Sequence, residues 1–264
     1  MTKKNSNTIL KTNNLSIGYQ TKKAKTIIAS NINIELLSGE LIGLVGANGI
    51  GKSTLLRTLT NVQSSLSGTI LVDNKPLEQY GNLELAKVLS LVLTESVVSK
   101  NLSVFELVAL GRQPYTNWVG SLIESDIDIV NKALAETNLN AIKHKKCYEL
   151  SDGQLQKVMI ARALAQDTHL IILDEPTTHL DMYHKAYILK LLQKLAKDTN
   201  KTILFSSHEI DLAIQLCDKL IVMTESTVVL DTPNKLMESG TFETLFPKEF
   251  IVFDKVSQSF KVNK

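Results

Sequence analysis

The residues best equipped for chemistry lie in one short stretch, Gly46-Ala47-Asn48-Gly49-Ile50-Gly51-Lys52-Ser53-Thr54. It fits G-x-x-x-x-G-K-[ST], the pattern of a phosphate-binding loop. Glycines let the backbone bend until several N–H groups face one anion. A helix beginning at the loop adds free N–H donors and the positive end of its dipole. Lys52 supplies a full charge for the β- and γ-phosphates of a nucleoside triphosphate, and the Ser53 hydroxyl suits Mg2+. A second constellation is Leu170-Ile171-Ile172-Leu173-Asp174-Glu175, an apolar run ending in two acids. Buried strands of α/β sheets present ligands at their carboxyl ends. Asp174 is placed to serve Mg2+ there, and Glu175 to polarise an attacking water. A third is Leu150-Ser151-Asp152-Gly153-Gln154 at the start of a helical run. It reads as a helix cap, and equally as an anion site made of hydroxyl, glycine backbone and helix N-terminus.

These groups need a sheet to position them. Leu41-Ile42-Gly43-Leu44-Val45 is an apolar run before the glycine loop, and Ser53–Leu59 is helix-compatible. Short strands are expected at 8–12 and 15–19, an alternating strand at 32–36, a hairpin start at 69–74 and a buried strand over 88–93. From 103 to 165 the character is helical: Val104, Leu107, Val108 and Leu110 share a face, as do Ile127, Val130, Leu134 and Leu139. Strands then alternate with helices: strands at 170–173, 202–205 and 220–223, helices at 183–197 and 209–216, and a hairpin partner at 228–230. That alternation implies a mostly parallel sheet covered on both faces. The residues beyond 240 read as a short tail.

Composition narrows the class. The 264 residues are 44% hydrophobic and carry a net charge of +2, which suits a globular chain and gives no strong field for nucleic acid. Cys147 and Cys217 are far apart and form no metal-ligand spacing, so they read as reduced thiols. No apolar run reaches the roughly 18–20 residues of a membrane span. The polar, basic start lacks the apolar core of a signal peptide.

Taken in order, the motifs resemble those of the ATP-binding-cassette ATPases. Gly46–Thr54 matches the family's Walker A loop, Ser151–Gln154 its L-S-G-G-Q signature, and Leu170–Glu175 its Walker B strand. Thr178-His179-Leu180-Asp181 resembles the D-loop, and Phe205-Ser206-Ser207-His208-Glu209 the switch-histidine segment. Tyr19 stands where the family stacks an aromatic ring on adenine. The resemblance covers about residues 8–235. It implies an α/β, RecA-like P-loop NTPase core with an antiparallel β subdomain at the N-terminus and a helical subdomain inserted over about 96–165, all within one domain spanning 8–240.

The resemblance also assigns roles. It implies ATP and Mg2+ as cofactors, with Tyr19, Gly46, Asn48, Gly49, Gly51, Lys52, Ser53, Thr54, Ser151, Gly153 and Gln154 on the nucleotide, and Ser53 and Asp174 on the metal. Glu175, His208 and Lys52 become the catalytic groups. Two departures stand out. Asp152 replaces the first signature glycine. Thr94-Glu95 stands where a metal-reaching glutamine is usual, so Glu95 or Thr94 stands in, with Glu95 taken as the third metal ligand. The implied assembly is a head-to-tail homodimer, seated peripherally on the cytoplasmic side of the cell membrane against permease subunits that a substrate-binding protein feeds. The segment Leu102–Tyr115 resembles the subgroup that imports iron–siderophore complexes, haem and cobalamin. The alternative is a soluble cassette acting as a clamp or a nucleotide sensor.

Overall fold

The structure, a computed structural model, describes residues 7–22, 24–93 and 100–263. The chain opens with β1 (Thr8–Gln20), β2 (Lys25–Ile32) and β3 (Glu35–Leu37). β4 (Leu41–Gly46) passes through the glycine loop into α1 (Lys52–Leu59), and β5 (Ser67–Val72) turns back as β6 (Lys75–Pro76). After the single turn α2 (Asn82–Leu85) and β7 (Leu89–Val92) come the helices α3 (Val104–Ala109), α4 (Glu124–Glu136) and α5 (Asp152–Ala165). The alternation resumes with β8 (Leu170–Leu173), α6 (Met182–Thr199), β9 (Thr202–Ser206), α7 (Ile210–Leu216) and β10 (Lys219–Met223). β11 (Val228–Asp231), α8 (Pro233–Glu238), β12 (Ile251–Asp254) and β13 (Ser259–Val262) complete it.

The central sheet has the order β11-β10-β4-β9-β8-β7. Its five strands from β10 to β7 are parallel, and β11 is an antiparallel edge. Alternation divides the side chains between two cores. Ile42, Leu44, Leu170, Ile172, Leu204 and Ile221 face α1 and the antiparallel strands. Leu41, Val45, Ile171, Leu173, Ile203 and Phe205 face the helical side. Each fully buried aliphatic side chain contributes roughly 1.5–3 kcal/mol, so a strand with both faces covered resists displacement. That rigidity is needed at the three strand ends that carry the site.

The antiparallel part differs from expectation in two places. The runs at 8–12 and 15–19 form one strand, β1, because Asn14 adopts a left-handed φ of 46°. The chain bends there and changes partners. Residues up to Asn13 pair mainly with β5 and β3, and those from Leu15 pair mainly with β2. The expected strand over 32–36 is interrupted between β2 and β3. The buried Thr12 hydroxyl fills the gap, donating to Ile32 O at 2.9 Å and accepting from Ile34 N–H at 3.0 Å.

In the helical block α3 and α4 pack against α5. The turn from Leu110 to Tyr115 is fixed by Arg112, which is buried. Its Nε donates to the buried Asp126 carboxylate at 2.9 Å and Nη1 to Ala165 O at 3.0 Å. Gly111 permits this approach, since a Cβ there would lie 2.3 Å from Arg162 O. Beyond the turn Trp118 stands 97% exposed, near Leu83 of α2.

The residues after 240, read as a tail, fold into a helical turn at Thr241–Thr244 and the hairpin β12–β13. The rings of Phe242, Phe253 and Phe260 pack together at 4.9–6.4 Å, and Phe246 meets Phe260 at 5.2 Å. Phe260 N–H donates to Asp211 Oδ1 of α7 at 3.2 Å. Five of the seven phenylalanines lie between 242 and 260, a concentration that marks a packed segment. No helix among the described residues is long and apolar enough to cross a membrane.

Candidate functional site

The site lies at the adjoining carboxyl ends of β4, β9 and β8. The glycine loop rises from β4 and closes on α1. Gly49 and Gly51 have φ of 75° and 111°, the left-handed region that suits glycine, and a Cβ on Gly51 would fall 2.3 Å from Ile28 Cγ2. Asn48 and Gly49 are exposed at the tip. Lys52 is only 5% exposed and folds back into the loop, donating to Gly46 O at 2.9 Å and Ala47 O at 3.1 Å. Burial lowers its pKa, although the Glu175 and Asp174 charges oppose the shift. The loop thus holds a desolvated cation ready for a larger anionic partner.

Asp174 and Glu175 follow β8. Asp174 Oδ1 accepts from Ser53 Oγ at 3.3 Å and from Ser206 Oγ at 2.7 Å. Ser206 is fully buried at the end of β9, and its oxygen also accepts Glu175 N–H at 2.8 Å. That bond helps hold Glu175 at φ 49°, a left-handed conformation that is costly for a glutamate and persists only where its surroundings fix it. Glu175 Oε1 lies 2.5 Å from His208 Nε2, and Oε2 accepts from Thr178 Oγ1 at 3.1 Å. His208 Nδ1 lies 3.5 Å from Lys52 Nζ. Lys52, Ser53, Asp174, Glu175 and His208, named from sequence, therefore form one bonded cluster. Ser206, which completes it, had no signal in the sequence beyond its place beside Ser207-His208.

Two other elements flank the cluster. Tyr19, half-exposed, hydrogen-bonds through its hydroxyl with Thr54 Oγ1 at 3.0 Å and so touches the first turn of α1. Ser151 caps α5: its Oγ accepts Gln154 N–H at 3.3 Å, and Gln154 Oε1 accepts Ser151 N–H at 3.1 Å. These bonds are internal to the cap, and none joins it to the glycine loop. Asp152 is exposed, whereas Gly153 is buried against His184 of α6. Glu95 lies outside the described residues.

The donor set suits a phosphate-bound cation. Mg2+ is commonly held by one or two protein oxygens, with waters and phosphate oxygens completing six. Ser53 Oγ and Asp174 Oδ1 are such a pair. Among the described residues no group of three His, Cys, Asp or Glu could hold a metal alone. The cluster can therefore bind a polyphosphate at the loop, hold its cation between Ser53 and Asp174, and present a carboxylate and an imidazole to a nucleophile.

Comparison with known proteins agrees with this geometry. The family model described as ABC transporter matches residues 29–178. The iron(3+)-hydroxamate import ATP-binding protein of Bacillus subtilis is 36% identical over 83% of this chain and 80% of its own. A solved structure assigned to the metal-chelate type of ABC transporter, in an inward-facing conformation, superposes with a TM-score of 0.78 at 28% identity, covering 97% of this chain and 96% of that one. A dimeric ATP-binding cassette in a post-hydrolysis state, bound to ADP and Pi, gives a TM-score of 0.71 at 25% identity, covering 85% and 99%. The chain belongs to the ABC transporter family, whose ATP-hydrolysing cassette it carries.

Proposed function

We propose that this cassette hydrolyses ATP to power a membrane importer of iron chelates of the siderophore class. The observation that carries the ATPase reading is the convergence of Lys52, Ser53, Asp174, Glu175 and His208 at three adjoining strand ends. The cargo class rests on the likeness to the hydroxamate import protein and to the metal-chelate type transporter. Haem or a corrinoid is the neighbouring choice, since the cargo does not touch this subunit.

In this reading Tyr19 stacks on adenine. The backbone of Gly46, Asn48, Gly49, Gly51 and Thr54 wraps the phosphates, and Lys52 leaves its two carbonyl partners for the β- and γ-phosphates. Ser53 and Asp174 would hold Mg2+, with Glu95 as a third oxygen ligand, and the chemistry such an ion would supply is neutralisation of phosphate charge. Glu175 orients or deprotonates the attacking water. His208, bonded to Glu175, fixes that carboxylate and faces the γ-phosphate. Catalysis then comes from positioning and charge neutralisation.

In this reading the Ser151–Gln154 cap, whose bonds are internal, serves a second copy. Two chains pair head to tail and enclose two ATP molecules, as the likeness to a dimeric cassette supports. ATP bridges the closed pair and its products do not, so hydrolysis favours opening. The pair works at the cytoplasmic face of the membrane, beneath permease subunits served by a substrate-binding protein.

The test is Glu175→Gln. ATP binding should persist while steady-state hydrolysis falls about 10²–10⁴-fold, the range of a lost general base. Turnover near the wild-type rate would remove Glu175 from its role. Reconstitution with a permease and a panel of iron chelates, haem and corrinoids, scored by transport-stimulated ATPase, decides the cargo class.

A further inference from the structure

The first turn of α6 carries a contact that the proposed chemistry does not use. Asp181 caps this helix: Oδ1 accepts His184 N–H at 2.8 Å, and Oδ2 lies 2.8 Å from His184 Nδ1. The carboxylate thus makes Nδ1 the protonated ring nitrogen and fixes the ring plane. The opposite edge of the ring faces Gly153, where a Cβ would fall 3.0 Å from His184 Cδ2. Gly153 is buried in the first turn of α5, directly beside the Ser151 cap. The imidazole is therefore a wedge between the starts of two helices.

The segment that leads into this helix is tied to the hydrolytic cluster. Thr178 Oγ1 donates to Glu175 Oε2 at 3.1 Å, and three residues later the turn reaches Asp181. A continuous path runs from Glu175 through Thr178, Asp181 and His184 to Gly153 and Ser151. Hydrogen bonds join Glu175 to Thr178 and Asp181 to His184, the ring packs on Gly153, and the chain itself carries the link from Thr178 to Asp181, a contiguous arrangement of the kind that can carry coupling.

We propose that His184 is a positioning residue that couples the two ATP sites of the dimer, by fixing the Ser151–Gln154 cap to the Thr178–Asp181 turn. The proposal rests on the dimeric reading, in which Glu175 serves one ATP and the cap of the same chain serves the other. A shift of Glu175 and Thr178 on hydrolysis at one site moves the ring, and the ring moves the cap lent to the second site. Glycine at 153 is then explained within the subunit: it is the face on which the ring bears.

The experiment uses the full chain and two variants, His184→Ala and His184→Asn. Asparagine keeps an N–H donor near the Nδ1 position; alanine removes both donor and wedge. Three quantities are read: the thermal shift with ATP, the ATP-driven dimer in a Glu175→Gln background, and the ATP dependence of steady-state hydrolysis. In His184→Ala the thermal shift and the dimer should persist, kcat should fall on the order of 10- to 100-fold, as for a misplaced site, and the Hill coefficient should drop to 1. His184→Asn should recover much of both kcat and cooperativity. A lost thermal shift in His184→Ala, a wild-type Hill coefficient in that variant, or an asparagine variant as impaired as alanine, overturns the proposal while leaving the dimer intact. Absence of an ATP-driven dimer in the Glu175→Gln protein with His184 unchanged overturns the dimeric reading itself, and this proposal with it.

Discussion

Removing the Ser206 hydroxyl should damage both stability and hydrolysis, because that one oxygen joins the ends of β8 and β9. It donates to Asp174 Oδ1 at 2.7 Å and accepts Glu175 N–H at 2.8 Å in a fully buried position. Loss of a hydrogen bond to a charged group costs about 1.5–3 kcal/mol, and a stranded N–H about 1–3 kcal/mol more. Glu175 is partly solvated, so the lower halves of these ranges apply and the expected total for Ser206→Ala is about 3 kcal/mol. At about 2 °C per kcal/mol for a domain of this size, Tm should fall about 6 °C. The neighbouring Ser207 is the control. Its hydroxyl accepts only the Glu209 N–H at 2.9 Å, so Ser207→Ala should cost about 1 kcal/mol, as for a lost cap. Differential scanning calorimetry of both variants, with steady-state ATPase alongside, tests the assignment. With Ser206 gone, Glu175 is freed from its left-handed conformation and kcat should drop on the order of 10²-fold. A Tm within about 1 °C of the parent, or equal losses in the two variants, would refute the idea that Ser206 holds the acids in place.

Three further outcomes are expected. Burial holds the Lys52 pKa below its ordinary value despite the Glu175 and Asp174 charges, so the charged form is disfavoured on folding and stability should rise with pH through that shifted window. Lys52→Met should remove this dependence, leave the Tm of the free protein unreduced, and abolish the ATP-induced thermal shift, which is about 2.7 kcal/mol at a hundredfold excess over Kd. Arg112→Ala should cost about 3–5 kcal/mol in chemical denaturation by stranding the buried Asp126 carboxylate, whereas Arg112→Met with Asp126→Leu should restore most of it. For Asp167, burial raises the carboxyl pKa, but the Lys201 bond and the Lys201, Arg112 and Lys132 charges outweigh it and leave it below the usual range. Its contribution is present above the ordinary carboxylate pKa and lost as pH falls through the depressed one, so Asp167→Asn should flatten the acid limb of the stability profile.

The sequence made the central sheet legible because its strands are buried on both faces and read as unbroken apolar runs. Leu170–Leu173 and Leu220–Met223 fall within a residue of the observed β8 and β10. The antiparallel strands were harder. Asn14 and Asn31 take positive φ, and a bend that redirects pairing leaves no periodic trace. The site residues could be named because each sits in a motif with its own chemistry, yet the bonds among them could not. Ser206 joins Asp174 across strands from positions far apart in sequence, and only the parallel register of β8 on β9 brings them together. The C-terminal hairpin is legible in principle from its phenylalanines, but the segment is short and its strands are only four residues each, too brief for a periodic pattern to stand out.

The exposed indole at position 118 has an optical consequence. Trp118 is the chain's single tryptophan, so the intrinsic emission of the protein is a local signal from the loop before α4. Almost fully hydrated, it should emit at the red end of the tryptophan range and be open to collisional quenchers. Nucleotide filling the glycine loop would leave that emission nearly unchanged, whereas any surface closing over the helical block would shift it blue and shield it. One unlabelled protein can therefore report the loading of ATP and the covering of its helical face as separate events, the first by heat and the second by light.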